Sequence, residues 1–170
     1  MNKNLIPDIT AKSIDALDGD FFISRGIKAV FLDIDNTLVL PHSLLPDERA
    51  EKFVRSLINA GLTVCFISNN KKVRVDKFNT FKIPAIHRAA KPLTFSYSRM
   101  IKRLGINADE AAAVGDQFFS DIYGANRAGL LTVYVQPIKI GDEGAFVWLK
   151  RKLEAPLLKR LRSGNYIKIV

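Results

Sequence analysis

The chain has 170 residues, is 48% hydrophobic and carries a formal net charge of +9, with a sequence pI near 9.8. This balance excludes a disordered or fibrous chain, and no apolar run approaches the ~20 residues needed to span a bilayer. A single cysteine, Cys65, excludes a disulfide framework and a cysteine-based zinc site.

Cys65 lies inside LTVCFI and reads as a small buried hydrophobe. The N-terminal segment MNKNLIPDITAKS lacks the continuous apolar stretch of a secretory signal. A reducing cytoplasm is therefore the expected location, and the basic excess favours anionic partners.

KAVFLDI, residues 28–34, has apolar residues running together, the pattern of a strand buried on both faces. A turn with Pro41 and Pro46 follows. In DERAEKFVRSLINAG, Asp47 can cap a helix, Ala50, Phe53, Val54, Leu57 and Ile58 form its apolar stripe, and Gly61 stops it. Residues 62–68 repeat the buried-strand pattern and end in Ser68-Asn69-Asn70, before a basic helix at about 71–78. PAIHR, 84–88, is a short strand candidate. Leu93, Tyr97, Met100, Ile101 and Leu104 mark a helix closed by Gly105. AAAVGD, 111–116, is a strand, 121–128 a short helix ending at Gly129, and 130–135 a strand. A last helix is expected at about 144–162.

Strands alternating with helices predict an α/β fold, a three-layer Rossmann-like parallel sheet with helices on both faces. No linker or repeat divides the chain, so one domain over 1–170 is expected, with its core at about 27–137. In such sheets ligands bind beyond the carboxyl ends of the strands. Asp33 and Asp35 follow the first strand, Ser68 and Asn69 the second, and Asp116 the fourth, so the topology gathers them at one edge. Carboxylates on strand-end turns suit a hard cation, and Mg²⁺ prefers few carboxylates, several waters and a phosphate oxygen. Zinc would want imidazole or thiolate, for which His42 and His87 are too scattered.

With these residues placed, the chain resembles the haloacid-dehalogenase (HAD) superfamily of phosphatases, in its capless subclass IIIA, and within it the YqeG-type and phosphatidylglycerophosphate phosphatase group. Its four motifs match DIDNT from Asp33 to Thr37, Ser68 at the end of CFIS, Lys91 in AAKP, and GDQFFSD from Gly115 to Asp121. The resemblance implies a Mg²⁺-dependent phosphomonoesterase in which Asp33 attacks phosphorus and carries an aspartyl phosphate. It implies that Asp35 is the acid and base, with its backbone carbonyl on the metal beside Asp33 and Asp116. Ser68, the Asn69 amide and Lys91 would bind phosphate oxygens, while Asp121 supports the metal site as ligand or neighbour and Thr37 braces the loop. Asn70 and Gln117 read as site-lining amides without an assigned role, and His42 as a solvent-facing residue.

The intervals from Asp35 to Ser68 and from Ser68 to Lys91 each hold little more than one helix and one strand, too little for a cap domain. An open site admits a phosphate on something large. From Ala145 onward, Lys150, Arg151, Lys152, Lys159, Arg160, Arg162 and Lys168 face only Glu154. FVWLKRKLEAPLLKRLR reads either as an interfacial helix for the anionic inner face of a membrane or as a helix packed on the sheet with a solvated basic face, and Pro156 interrupts either. Phosphatidylglycerophosphate or a similar lipid is the favoured substrate. A nucleic-acid end or phosphoprotein phosphatase, and a non-catalytic receiver-like module, are the alternatives. Nucleic acid is disfavoured, since no aromatic residues interleave the basic ones as base stacking requires.

Overall fold

The computed structural model describes residues 3–139 together with Lys152 and Pro156. The elements run β1 (Ile9–Ala11), α1 (Gly19–Ile23), β2 (Ala29–Leu32), α2 (Glu48–Asn59), β3 (Thr63–Ile67), α3 (Lys72–Phe78), β4 (Ala85–Ile86), α4 (Phe95–Leu104), β5 (Ala111–Gly115), α5 (Tyr123–Ala128) and β6 (Leu131–Val135). The strands form one sheet in the order β1-β6-β5-β2-β3-β4, and every pairing is parallel. The α/β class read from the sequence is therefore the observed one. Of the expected helix at 144–162 only Lys152 and Pro156 are among the described residues, and both are helical.

The strands read as doubly buried send alternate side chains into two cores. Val30, Leu32, Val64, Phe66, Val114 and Val133 meet Phe53, Val54 and Leu57 of α2 and Val75 and Phe78 of α3. Ala29, Phe31, Cys65, Ile67, Ala111 and Ala113 meet Tyr97 and Met100 of α4 and Ala125 of α5. Cys65 is fully buried, and that burial pushes its thiol up to about 12.

Four elements differ from the sequence expectation, among them α1, which was not foreseen. β1 was not foreseen as a strand: ITA is too short to show a period, and its partner β6 lies at the other end of the described chain. Conversely, regular strand in 84–88 is confined to Ala85 and Ile86, opposite Phe66 and Ile67 at the sheet edge, with the Pro84 carbonyl and the Arg88 N–H still bonded to the backbone of Phe66 and Asn70. The helix expected at 121–128 starts as a π-helical turn, Phe118–Ile122, which hands over to α5. Asp47 caps α2 as expected, its Oδ1 accepting the Ala50 N–H at 2.8 Å.

The order of strands makes β2 the switch point. The chain moves outward from β2 through β3 to β4, then crosses back to place β5 on the other side of β2. Between Asp35 and Ser68 lie α2 and β3, and between Ser68 and Lys91 lie α3 and β4, so no cap domain is inserted. No helix among the described residues is long and apolar enough to cross a membrane.

The link of β1 to β6 is reinforced by a polar cluster. Asp8 Oδ2 accepts both the Thr132 N–H and its hydroxyl at 2.8 Å, and the Asp8 N–H donates to Thr132 Oγ1 at 3.0 Å. Thr132 is fully buried. Asp8→Ala is expected to lower stability by about 1–3 kcal/mol, since it strands buried donors, and urea denaturation measures this.

Candidate active site

β2 and β5 are adjacent, with Leu32 opposite Val114, and the Asp33 N–H continues the ladder to the Val114 carbonyl at 3.0 Å. Asp33 thus leaves its strand beside Gly115 and Asp116. A Cβ on Gly115 would stand 2.4 Å from Cγ of Asp121, so only glycine leaves room for the Asp121 carboxylate to fold back against the strand end. That carboxylate is fixed from behind: the Gln117 N–H donates to Asp121 Oδ2 at 3.1 Å, and the Tyr97 hydroxyl donates to the Asp121 carbonyl at 3.4 Å.

The Lys91 ammonium reaches into this space. It donates to Asp33 Oδ1 at 2.6 Å and to Asp121 Oδ1 at 2.5 Å, with 3% of its side chain exposed. Burial alone would drive the lysine toward neutrality, but the charges of Asp121 and Asp33 outweigh it and hold its pKa well above the usual value. For Asp33, burial dominates and pushes the carboxyl up to about 7, against the pull of Lys91. Asp33, Asp116 and Asp121 each bring a carboxylate oxygen within 4.8 Å of the others. Such a set of hard oxygen donors fits a divalent cation, which would also relieve the mutual repulsion of the acids.

Asp35 lies elsewhere. Its carboxylate is held by the Asn70 side-chain amide at 2.7 Å and by Arg74 Nη2 at 3.0 Å. The turn between the two acids is set by Asn36 at φ 60, a left-handed conformation that asparagine tolerates better than most residues. The Asn36 N–H donates to the Val39 carbonyl at 2.7 Å, closing the loop.

The remaining residues singled out in the sequence converge here with unequal duties. Thr37 donates its hydroxyl to Asp116 Oδ1 at 3.1 Å, so it braces an acid. Ser68 is buried at the end of β3, its Oγ accepting the Asn70 N–H at 3.2 Å. The Asn69 side chain grips the main chain of Lys91 from both sides, donating to its carbonyl at 3.1 Å and accepting its N–H at 2.8 Å. That side chain positions the lysine. Gln117 turns its side chain to Ser120, which donates to it at 3.0 Å, and offers the site only its backbone N–H. His42 is exposed; His87 is partly buried, its Nδ1 without a partner. Asn70 and Arg74 acquire roles the sequence did not assign. The available signal was the four-residue spacing between Asn70, the last of the Ser-Asn-Asn cluster, and Arg74.

A parallel sheet with an uncapped acid-and-lysine cluster at its switch point is the arrangement that the four sequence motifs lead one to expect. A family model described as HAD-hydrolase-like matches residues 88–137. The chain is 28% identical over 168 residues to the probable phosphatase YqeG of Bacillus subtilis (strain 168), covering 98% of this chain and 97% of that protein. It is 31% identical over 173 residues to phosphatidylglycerophosphate phosphatase 1, chloroplastic/mitochondrial, of Arabidopsis thaliana, covering 94% of this chain but 49% of that protein. A crystal structure of an uncharacterized protein from Listeria monocytogenes serotype 4b shares the fold at a TM-score of 0.53 and 21% identity, covering 78% of this chain and 98% of that one. By these comparisons the chain is similar to YqeG and to phosphatidylglycerophosphate phosphatase, and its residues 88–137 match the HAD-hydrolase-like model.

Removing the shared cation should expose how much the cluster depends on it. Lys91→Met is expected to destabilise the metal-free protein by about 3–5 kcal/mol, because two buried carboxylates lose their partner. Thermal unfolding with and without millimolar Mg²⁺ reads this, and the variant should regain more stability from the ion than the wild type does. Gly115→Ala should cost activity in proportion to the displacement of Asp121, with the far-ultraviolet spectrum unchanged.

Proposed function

We propose that the chain is a Mg²⁺-dependent phosphomonoesterase that works through an aspartyl phosphate on Asp33. The observation that carries the reading is the meeting of Asp33 with Lys91 at 2.6 Å inside a cluster that includes Asp116 and Asp121. The similarity to YqeG and to phosphatidylglycerophosphate phosphatase supports the same chemistry.

In this reading an Asp33 carboxylate oxygen attacks the phosphorus, the bond from phosphorus to the ester oxygen breaks, and the leaving oxygen takes a proton from Asp35. Water then gives a proton back to Asp35 and attacks the aspartyl phosphate, releasing inorganic phosphate and restoring Asp33. Lys91 balances the charge that spreads over the phosphoryl oxygens, with the Ser68 hydroxyl and the backbone amide of Asn69 as further donors. Asn70 and Arg74 keep Asp35 off the Asp33 cluster, so one acid serves as nucleophile and the other handles protons. A bound Mg²⁺ would be held by Asp33, Asp116 and the Asp35 carbonyl, with Asp121 in support, and would supply positive charge to the phosphate oxygens.

The substrate we favour is a lipid phosphomonoester, phosphatidylglycerophosphate or a similar anionic phosphate. The lack of an inserted cap supports a large substrate, and the Arabidopsis relative supports a lipid, although this chain spans about half of that protein's length.

A panel of phosphomonoesters assayed with Mg²⁺, including lipid phosphates in mixed micelles, should show release of phosphate that Asp33→Asn abolishes. Asp35→Asn is expected to slow turnover by ~10² or more while leaving Mg²⁺ binding intact. Unchanged turnover in that variant refutes the acid–base assignment.

A further inference from the structure

Among the described residues, the large apolar side chains that stand exposed are Ile23, Leu40, Leu44, Leu45, Ile58, Val73, Leu93, Phe95 and Ile138. Their distribution is uneven. In a parallel sheet, strand ends and helix starts share one edge, while helix ends and strand starts share the other. Ile23 and Ile58 lie in the last turns of α1 and α2, at the edge away from the site. The other seven lie at the catalytic edge.

Each of the seven is tied to the site by short connections. Leu40, Leu44 and Leu45 lie on the loop from the Asp33 motif to α2, and Arg74, which pairs with Asp35, also donates to the Leu44 carbonyl at 3.5 Å. Val73 is next to Arg74 in the first turn of α3. Leu93 donates its N–H to the Ala90 carbonyl at 2.9 Å, just after the catalytic lysine segment, and Phe95, 74% exposed, opens α4. Ile138 donates its N–H to the Asn36 carbonyl at 3.0 Å. These apolar tips surround a polar centre.

Cations stand among them. Lys71, Lys72 and Arg88 are exposed on the same edge; Lys72 pairs with Asp76, whereas Lys71 and Arg88 have no ion pair among the described residues. The acids Asp47 and Glu48 share this edge at the start of α2, one as its cap. The described run of residues reaches Lys139 at this edge, and the sequence that follows is rich in lysine and arginine. An anionic bilayer surface matches this pattern: phosphates for the cations, an apolar boundary just beneath them for isolated leucines and a phenylalanine, and no need for a shape-matched pocket.

We propose that the strand-end face is a membrane-docking surface, on which Phe95, Leu93, Val73, Leu44 and Leu45 seat in the headgroup boundary of an anionic phospholipid bilayer with Asp33 facing the lipid phosphates. The docking surface rests on the phosphatase reading only for its choice of substrate. The anchors are apolar groups on separate loops, and the phosphate enters between them without leaving the interface.

The test uses the full chain with an environment-sensitive dye on Phe95→Cys, and on Ile58→Cys as the opposite-edge control. Cys65 is fully buried and stays unlabelled. With vesicles of phosphatidylglycerol and phosphatidylcholine, the dye at position 95 should shift to the blue and be quenched by a lipid-borne quencher, while the dye at 58 should not respond. Leu45→Glu with Phe95→Glu should lower the vesicle-bound fraction by about tenfold, with hydrolysis of a soluble phosphomonoester unchanged. Equal response at both positions, no response at 95, or full vesicle binding by the double variant overturns the proposal. A response at 95 without any phosphatase activity keeps the docking surface and defeats the phosphatase reading; soluble-substrate hydrolysis without that response does the reverse.

Discussion

The structure depends on burying a lysine between two aspartates. Lys91 comes from the segment after β4, Asp33 from the end of β2 and Asp121 from the turn after β5, so their meeting requires the sheet to be assembled in register. The pairing of Leu32 with Val114 supplies that register, and Gly115 supplies the space. Low dielectric makes the arrangement demanding in both directions. An unpaired carboxylate or ammonium there would cost several kcal/mol, whereas the matched set is tolerated and polarised. Much of the surrounding hydrogen bonding serves the lysine: Asn69 clamps its main chain, and Gln117 and Tyr97 hold the partner acid.

The separation of Asp33 from Asp35 follows from the same economy of space. Two residues apart in sequence, they have different surroundings because the chain turns through Asn36. Asp33 is drawn into the buried cluster, where desolvation raises its pKa. Asp35 is partly exposed and anchored by Asn70 and Arg74. Two carboxyl groups of one motif thereby become chemically distinct, which a nucleophile and a proton carrier require.

Most of the architecture was legible because its signals are local. Continuous apolar runs gave β2, β3 and β5, a capping aspartate gave α2, and polar residues at strand ends gave the edge at which the site forms. The acids, Ser68 and Lys91 were legible as family motifs. What escaped has non-local causes. β1 is held by pairing with a strand more than a hundred residues away, a partner that ITA does not announce. The Arg74 contact with Asp35 depends on how α3 is set against the turn after β2. The side chain of Asn69 is engaged by the lysine backbone, because the chain returning from β4 passes within its reach.

Asn36 has a second partner besides its own turn. Its carbonyl accepts the Ile138 N–H at 3.0 Å, and its side-chain oxygen accepts the Lys139 N–H at 3.2 Å. Ile138 and Lys139 are thus riveted to the turn that carries Asp33 and Asp35. A displacement of that segment is felt first at the turn, so the exit from β6 is at the same time a handle on the orientation of Asp33 and Asp35.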